Sequence, residues 1–82
     1  MSTRFIRTTY FDRQWRKTKA NESDFASVKE EILRLGENAD KLTARISEVR
    51  AAIKGSGKSG GARVFYFAEI KGFVFLLTCY DR

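Results

Sequence analysis

An α+β fold with a mainly antiparallel sheet is what this sequence predicts, on three observations. An apolar stripe at helical spacing runs through residues 25–35. Two later segments, "ARVFYFAEI" and "GFVFLLTCY", are dense in Val, Ile, Phe and Tyr. The elements follow in the order strand, helix, helix, an ambiguous segment, then two strands, which separates the helices from most of the sheet. At 82 residues the chain makes one domain, and folding a chain of this size buries only about 60% of its unfolded surface.

The opening "RFIRTTYF" alternates Phe5, Arg7 and Thr9 with Ile6, Thr8 and Tyr10, the period of a strand. Phe11 and Trp15 then fall four apart on one helical face and predict a short helix to about Lys19. Ser23 is the expected N-cap of a second helix, with Asp24 in the first turn. Phe25, Val28, Ile32 and Leu35 form its apolar stripe, and Gly36 its C-terminal stop. Between Glu37 and Lys54 the residues Leu42, Ile46, Val49 and Ile53 keep helical spacing, with Asp40 as a cap and Gly55 as an end. A strand over Ile46–Ala52 is the competing reading. The two final segments, separated by "IKG", read as paired strands.

Composition removes several kinds of chemistry. The sequence has no histidine and one cysteine, Cys79. Histidine-based acid–base catalysis, Ser-His-Asp triads and ordinary zinc sites are excluded, because the ligand and base sets cannot be assembled. Any catalysis falls to Lys, Arg, Tyr or carboxylates, and no metal or cofactor is implied. Cys79, among apolar neighbours, reads as a plain buried side chain. The longest apolar run, Phe73-Val74-Phe75-Leu76-Leu77, is far short of the roughly 20 residues that span a bilayer. The N-terminus lacks the apolar block of a signal peptide, so the cytoplasm is the expected location.

Sixteen basic against ten acidic residues give a net charge of +6. Thr3–Lys19 and Arg45–Arg63 are basic, while Asn21–Asp40 between them is acidic. Such a distribution predicts a basic face for polyanions; solubility alone is the plain alternative.

The stretch "GSGKSGG", Gly55 to Gly61, invites comparison with a nucleotide loop. The G-x-x-x-x-G-K-[ST] pattern fails, because its opening glycine would fall on Ala52 and a strand, not a helix, follows. Arg50, Lys54, Lys58 and Arg63 flank and punctuate the stretch, and together could grip a phosphodiester backbone with little regard to base.

"KGSGKSGGARVFYF" followed by "FVFLLTCY" resembles the RelE/HigB family of type II toxin–antitoxin toxins. The signature close to G-x-G-K-x-G-G-x-R-[VI]-[IVF]-Y reads here from Gly55 to Tyr66, and L-L-x-x-Y reads from Leu76 to Tyr80. "FIRTTYFDRQW" and "SDFASVKEEILRL" resemble the family's first strand and two helices, so the likeness spans nearly the whole chain. It implies a RelE-like fold, two N-terminal helices packed on a small antiparallel sheet. It also implies a ribosome-dependent mRNA endoribonuclease, an mRNA interferase that inhibits translation and is silenced by a cognate antitoxin protein. In the family's register "EVRAAIKGSGK" fits without gaps, which favours a strand over Ile46–Ala52.

Metal-independent cleavage would have the ribose 2′-hydroxyl attack the adjacent phosphate. Arg63 is the first candidate to stabilise charge on the non-bridging oxygens. Its plain alternative is a salt bridge to Glu69 or Glu48. Lys54 and Lys58 are candidates for holding the backbone or transferring a proton, and equally for solvated loop residues. Arg50 corresponds to a basic position before the family's loop, and Arg82 matches one beyond the last strand more loosely. Tyr80 suits stacking on a base or donating to the leaving group, or a core aromatic with a wet tip. Trp15, Phe11 and Phe25 read as core. Two other functions stay open: a gyrase-inhibiting ParE-like toxin, and a truncated member that only binds antitoxin. The second arises because relatives often continue past the last strand with a polar segment.

Overall fold

The computed structural model of the chain describes residues 3–18, 20–52, 61–68 and 72–81. Among these the period-two and helical patterns sort into two layers. One layer holds α1 (Thr9–Arg16) and α2 (Glu22–Leu35), followed by a 3₁₀ turn at Gly36–Asn38. The other is a sheet of β1 (Arg4–Arg7), β2 (Asp40–Lys41), β3 (Ile46–Ala51), β4 (Ala62–Ala68) and β5 (Phe73–Asp81), in the spatial order β1-β5-β4-β3-β2. The fold is α+β. No helix among the described residues is long and apolar enough to cross a membrane.

Alternation along the strands builds the core. Val49 and Ala51 of β3, Val64 and Tyr66 of β4, and Val74, Leu76 and Cys79 of β5 turn towards the helices. There they meet Phe11, Trp15, Phe25, Val28 and Ile32 in one cluster. The expected cores of both helices and the buried Cys79 are therefore found. At about 25 cal/mol per Å² of apolar area, burial of this kind is the main stabilising term.

Four expectations are corrected. The sheet is mixed, because β1 runs parallel to β5 while the other pairings are antiparallel. A parallel partner needs a long connection, here through both helices and β2–β4, which inspection of neighbouring segments does not reveal. The first strand stops at Arg7, and Thr9 and Tyr10 are already helical, with Phe11 and Trp15 on the helix as their spacing predicts. The α2 cap is Asn21, not Ser23: Asp24 N–H donates to Asn21 Oδ1 (2.9 Å) and Asn21 N–H returns to Asp24 Oδ2 (3.0 Å). Only Asn21 has a carboxylate three residues on, which closes this reciprocal box. Gly36 does end the helix, with φ +53°. Finally, Asp40 begins a short strand rather than capping a helix, and Ile46–Ala51 is the strand that the family register favoured over the helical spacing. Leu42, which the helical spacing put in a core, is 62% exposed. Pairing of all six β3 residues with β4 outweighs the helical period.

Two local devices hold the layers in register. Arg7 lies under the helices: its Nε meets Asp12 Oδ1 at 2.6 Å, Nη1 meets Glu22, and its guanidinium stands 4.4 Å from the Phe25 ring centre. Thr8 caps α1 by accepting from Phe11 N–H (3.1 Å), and its hydroxyl donates to the Leu76 carbonyl (2.8 Å). That carbonyl adjoins a β-bulge, since Tyr66 pairs with Leu76 but Phe65 pairs with Thr78, leaving Leu77 extra. Between the layers Ser47 and Tyr66 face each other across β3 and β4, both buried. Burial pushes the Tyr66 phenol pKa upward, and a hydrogen bond with Ser47 opposes that shift.

Thr8→Val removes the hydroxyl's bonds to Leu76, Leu77 and Phe11 N–H and is expected to lower the unfolding free energy by about 2 kcal/mol in urea titrations. For Tyr66 the folded chain holds the proton more tightly than the unfolded one. Its contribution is therefore complete below the unfolded value of 10.0 and is lost as pH rises through the folded value. Tyr66→Phe should lose about 1 kcal/mol at pH 7 with the Ser47 bond, yet decline less steeply than wild type in urea titrations above about pH 10.

Candidate functional site

The alternation that sends Val49, Val64 and Leu76 inward sends their neighbours to the opposite face. Among the described residues no helix or strand covers that face. The register sets its side chains in rows across β3, β4 and β5. Ile46, Phe67 and Phe75 form one row, Glu48, Phe65 and Thr78 the next, and Arg50, Arg63 and Tyr80 the third. Beyond Phe75 the first row continues to Ile6 of β1. The face is thus apolar at one end and basic at the other.

The bulge decides who belongs there. Without the extra Leu77, strict alternation from Val74 and Leu76 would turn Thr78 and Tyr80 inward and Cys79 outward. With it, Cys79 is buried and Tyr80 is 46% exposed, its ring 5.7 Å from that of Phe65. A similar ring pair, Phe67 and Phe75, stands 6.3 Å apart in the apolar row.

Of the residues singled out from sequence, Arg50, Arg63 and Tyr80 come together in one row. Lys54, Lys58 and Arg82 lie outside the described residues, as do Gly55–Gly60 and Glu69. Gly61, last of the glycine run, is described: a Cβ on it would stand 2.9 Å from the Ala51 carbonyl oxygen. That position is glycine because the backbones of β3 and β4 close together just ahead of the Arg50–Arg63 pair.

The salt bridge set out for Arg63 is present. Its Nε lies 3.3 Å from Glu48 Oε2, with the two side chains 28% and 20% exposed. Yet this Nε is buried and makes no hydrogen bond. The distance suits an ion pair but the angle does not suit a hydrogen bond, so the attraction is coulombic and weakly directed. Arg50 faces Arg63 directly, and like charges so placed repel; the Glu48 carboxylate, diagonal to Arg63, offsets part of that repulsion.

The expected single basic face is divided. Arg13, Arg16 and Lys17 are exposed on α1, on the helical side of the sheet, and Arg7 is spent on Asp12 and Glu22. Segment charge alone could not tell which layer each segment joins. Sequence inspection also passed over Phe65, Phe67 and Phe75 as site residues, since Phe in a strand reads equally as core. Among the described residues no cluster of three or more Cys, Asp or Glu could hold a metal ion. No family model matches the sequence.

The arrangement can hold an anion between two guanidiniums, offer flat rings beside it, and present a carboxylate in contact with Arg63. A double-mutant cycle of Glu48→Ala and Arg63→Ala, read by urea unfolding, should give a favourable coupling of roughly 1 kcal/mol. A coupling near zero would mean that the pair is incidental to the fold.

Proposed function

We propose that this protein is the toxin of a type II toxin–antitoxin module, with a RelE-like version of the α+β fold. Acting as one 82-residue domain, it cleaves mRNA on the ribosome and so inhibits translation. The observation that carries this reading is the facing pair Arg50 and Arg63 beside the Phe65–Tyr80 rings on one open sheet face. Two like charges held opposite each other favour an anion between them, and adjacent rings favour an unpaired base. The Gly55–Tyr66 signature supports the family, and the absence of histidine is consistent with arginine-centred chemistry.

In this reading Arg63 stabilises the charge that develops on the phosphate and Arg50 holds the backbone. Tyr80 stacks on a base or donates to the leaving oxygen. Lys54, Lys58 and Arg82 complete the RNA contact. The cytoplasm and a cognate antitoxin belong to the same proposal: a +6 domain suits an acidic partner that folds onto it.

The test is mRNA cleavage in a reconstituted translation mixture, with and without ribosomes. Wild type is expected to cut only with ribosomes. Arg63→Ala, with unchanged far-ultraviolet circular dichroism, is expected to cut roughly 100- to 1,000-fold more slowly. A folded wild type that cuts nothing but traps gyrase on DNA would replace the nuclease with a gyrase inhibitor.

A further inference from the structure

We infer that the cavity under the last turn of α2 binds a free amino acid with an apolar side chain. The inference goes beyond the nuclease reading and does not depend on it. The cavity lies on the helical side of the sheet, opposite the face of Arg50 and Arg63. It measures about 420 Å³, and small-molecule sites span roughly 300 to 1,000 Å³.

Small residues leave this space. Ser47 and Ala68 line it from the sheet, Gly36 and Gly72 from the connections, so little bulk stands where α2 ends. A Cβ placed on Gly36 would meet nothing within 4 Å. Ile32, Leu33 and Val74 supply an apolar wall. Ile32 and Val74 belong to the core, whereas Leu33 is 57% exposed and gains cover from an apolar ligand.

Hydrogen-bonding groups stand in a row along the floor. Register pairs Lys41 with Ser47 and Ser47 with Tyr66, so an ammonium, a hydroxyl and a phenol follow one another across β2, β3 and β4. Ser47 and Tyr66 are both buried and share one hydrogen bond. That bond uses one of their two hydroxyl protons and leaves the other to donate. A free hydroxyl proton beside an ammonium suits an ionised carboxylate, which only accepts.

The facing wall has the opposite sign. It is the C-terminal end of α2, where aligned peptide dipoles carry partial negative charge, with the Glu37 carboxylate beside it. Arg34 of that last turn is held by Glu31. Neither Glu37 nor Lys41 makes an ion pair among the described residues. An ammonium group fits this wall as a carboxylate fits the floor. An α-amino acid carries both on one carbon, next to a side chain that the apolar wall receives. A simple acid leaves Glu37 and the helix end uncompensated; a simple amine leaves Lys41 and the hydroxyl proton so.

The experiment is a titration of the full 82-residue chain, followed by NMR correlation spectra of its backbone amides. L-phenylalanine and L-leucine are the probes. Hydrocinnamate, which lacks the ammonium group, and phenethylamine, which lacks the carboxylate, are the comparators. Both amino acids are expected to give saturable shifts at the amides of Ser47, Tyr66 and Ala68. Each comparator should bind roughly 3- to 30-fold more weakly than phenylalanine. Lys41→Gln should weaken the amino acids and hydrocinnamate but not phenethylamine, and Glu37→Gln should spare hydrocinnamate instead. Ala68→Phe, at an exposed strand position, should fill the cavity and abolish binding while keeping a folded spectrum. No saturable shift with either amino acid overturns the inference. So does a comparator that binds as tightly as phenylalanine, or undiminished binding to a folded Ala68→Phe chain. Shifts confined to Arg50, Arg63 and Tyr80 place the ligand on the other face and overturn it too. None of these outcomes bears on mRNA cleavage.

Discussion

The hydroxyl of Thr8 donates to the Leu76 carbonyl at 2.8 Å, at the point where β1 ends, α1 begins and β5 bulges. Each of those three events depends on the other two. The strand must stop for the helix to start, and the helix start carries the hydroxyl that binds the bulge. The bulge then reverses which residues of β5 face outward. Tyr80 thereby joins Arg50 and Arg63, and Cys79 closes the core behind them. One threonine in a connection of a single residue links the helical layer to the composition of the opposite face.

The two faces of the sheet therefore have different tasks. The helical side is largely apolar, with the Ser47–Tyr66 pair and Asp24 of the α2 cap as buried polar groups and Arg7 lying against the Phe25 ring. The open side keeps a facing arginine pair, a buried Nε without a hydrogen bond, and aromatic rings at intermediate exposure. A folded chain normally pairs such groups. Here they are concentrated in adjoining rows of one face, while the core behind them is consistent.

Elements set by strong local patterns were legible in the sequence. Phe25, Val28 and Ile32 at helical spacing gave α2, and the β-branched and aromatic runs gave β4 and β5. What needed the fold was anything resting on a distant partner. The parallel pairing of β1 depends on β5 at the far end of the chain. The strand at Ile46–Ala51 competes with a helical period that only pairing with β4 defeats. An extra residue at Leu77 leaves no mark in an apolar run, so alternation alone misassigns every residue after it. For the site, Arg50, Arg63 and Tyr80 were legible as residue types, and the alternative partner Glu48 was legible for Arg63. That Arg50 and Arg63 face each other is a matter of register, which composition does not encode.

The split of charge between layers also shapes how the molecule meets its surroundings. The outer surface of α2 and of the turn that follows it exposes Glu22, Glu30 and Glu37, while Arg13, Arg16 and Lys17 line α1 and its C-terminal cap and Arg50 lies across the sheet. A chain of net charge +6 is drawn towards any polyanion, but not equally from all sides. The acidic flank is pushed away as the basic surfaces are pulled in, so the field exerts a torque as well as a force. Approach within a Debye length, about 8 Å in physiological salt, is where that torque acts. The molecule turns before it touches, and the collisions that follow are weighted against the α2 side.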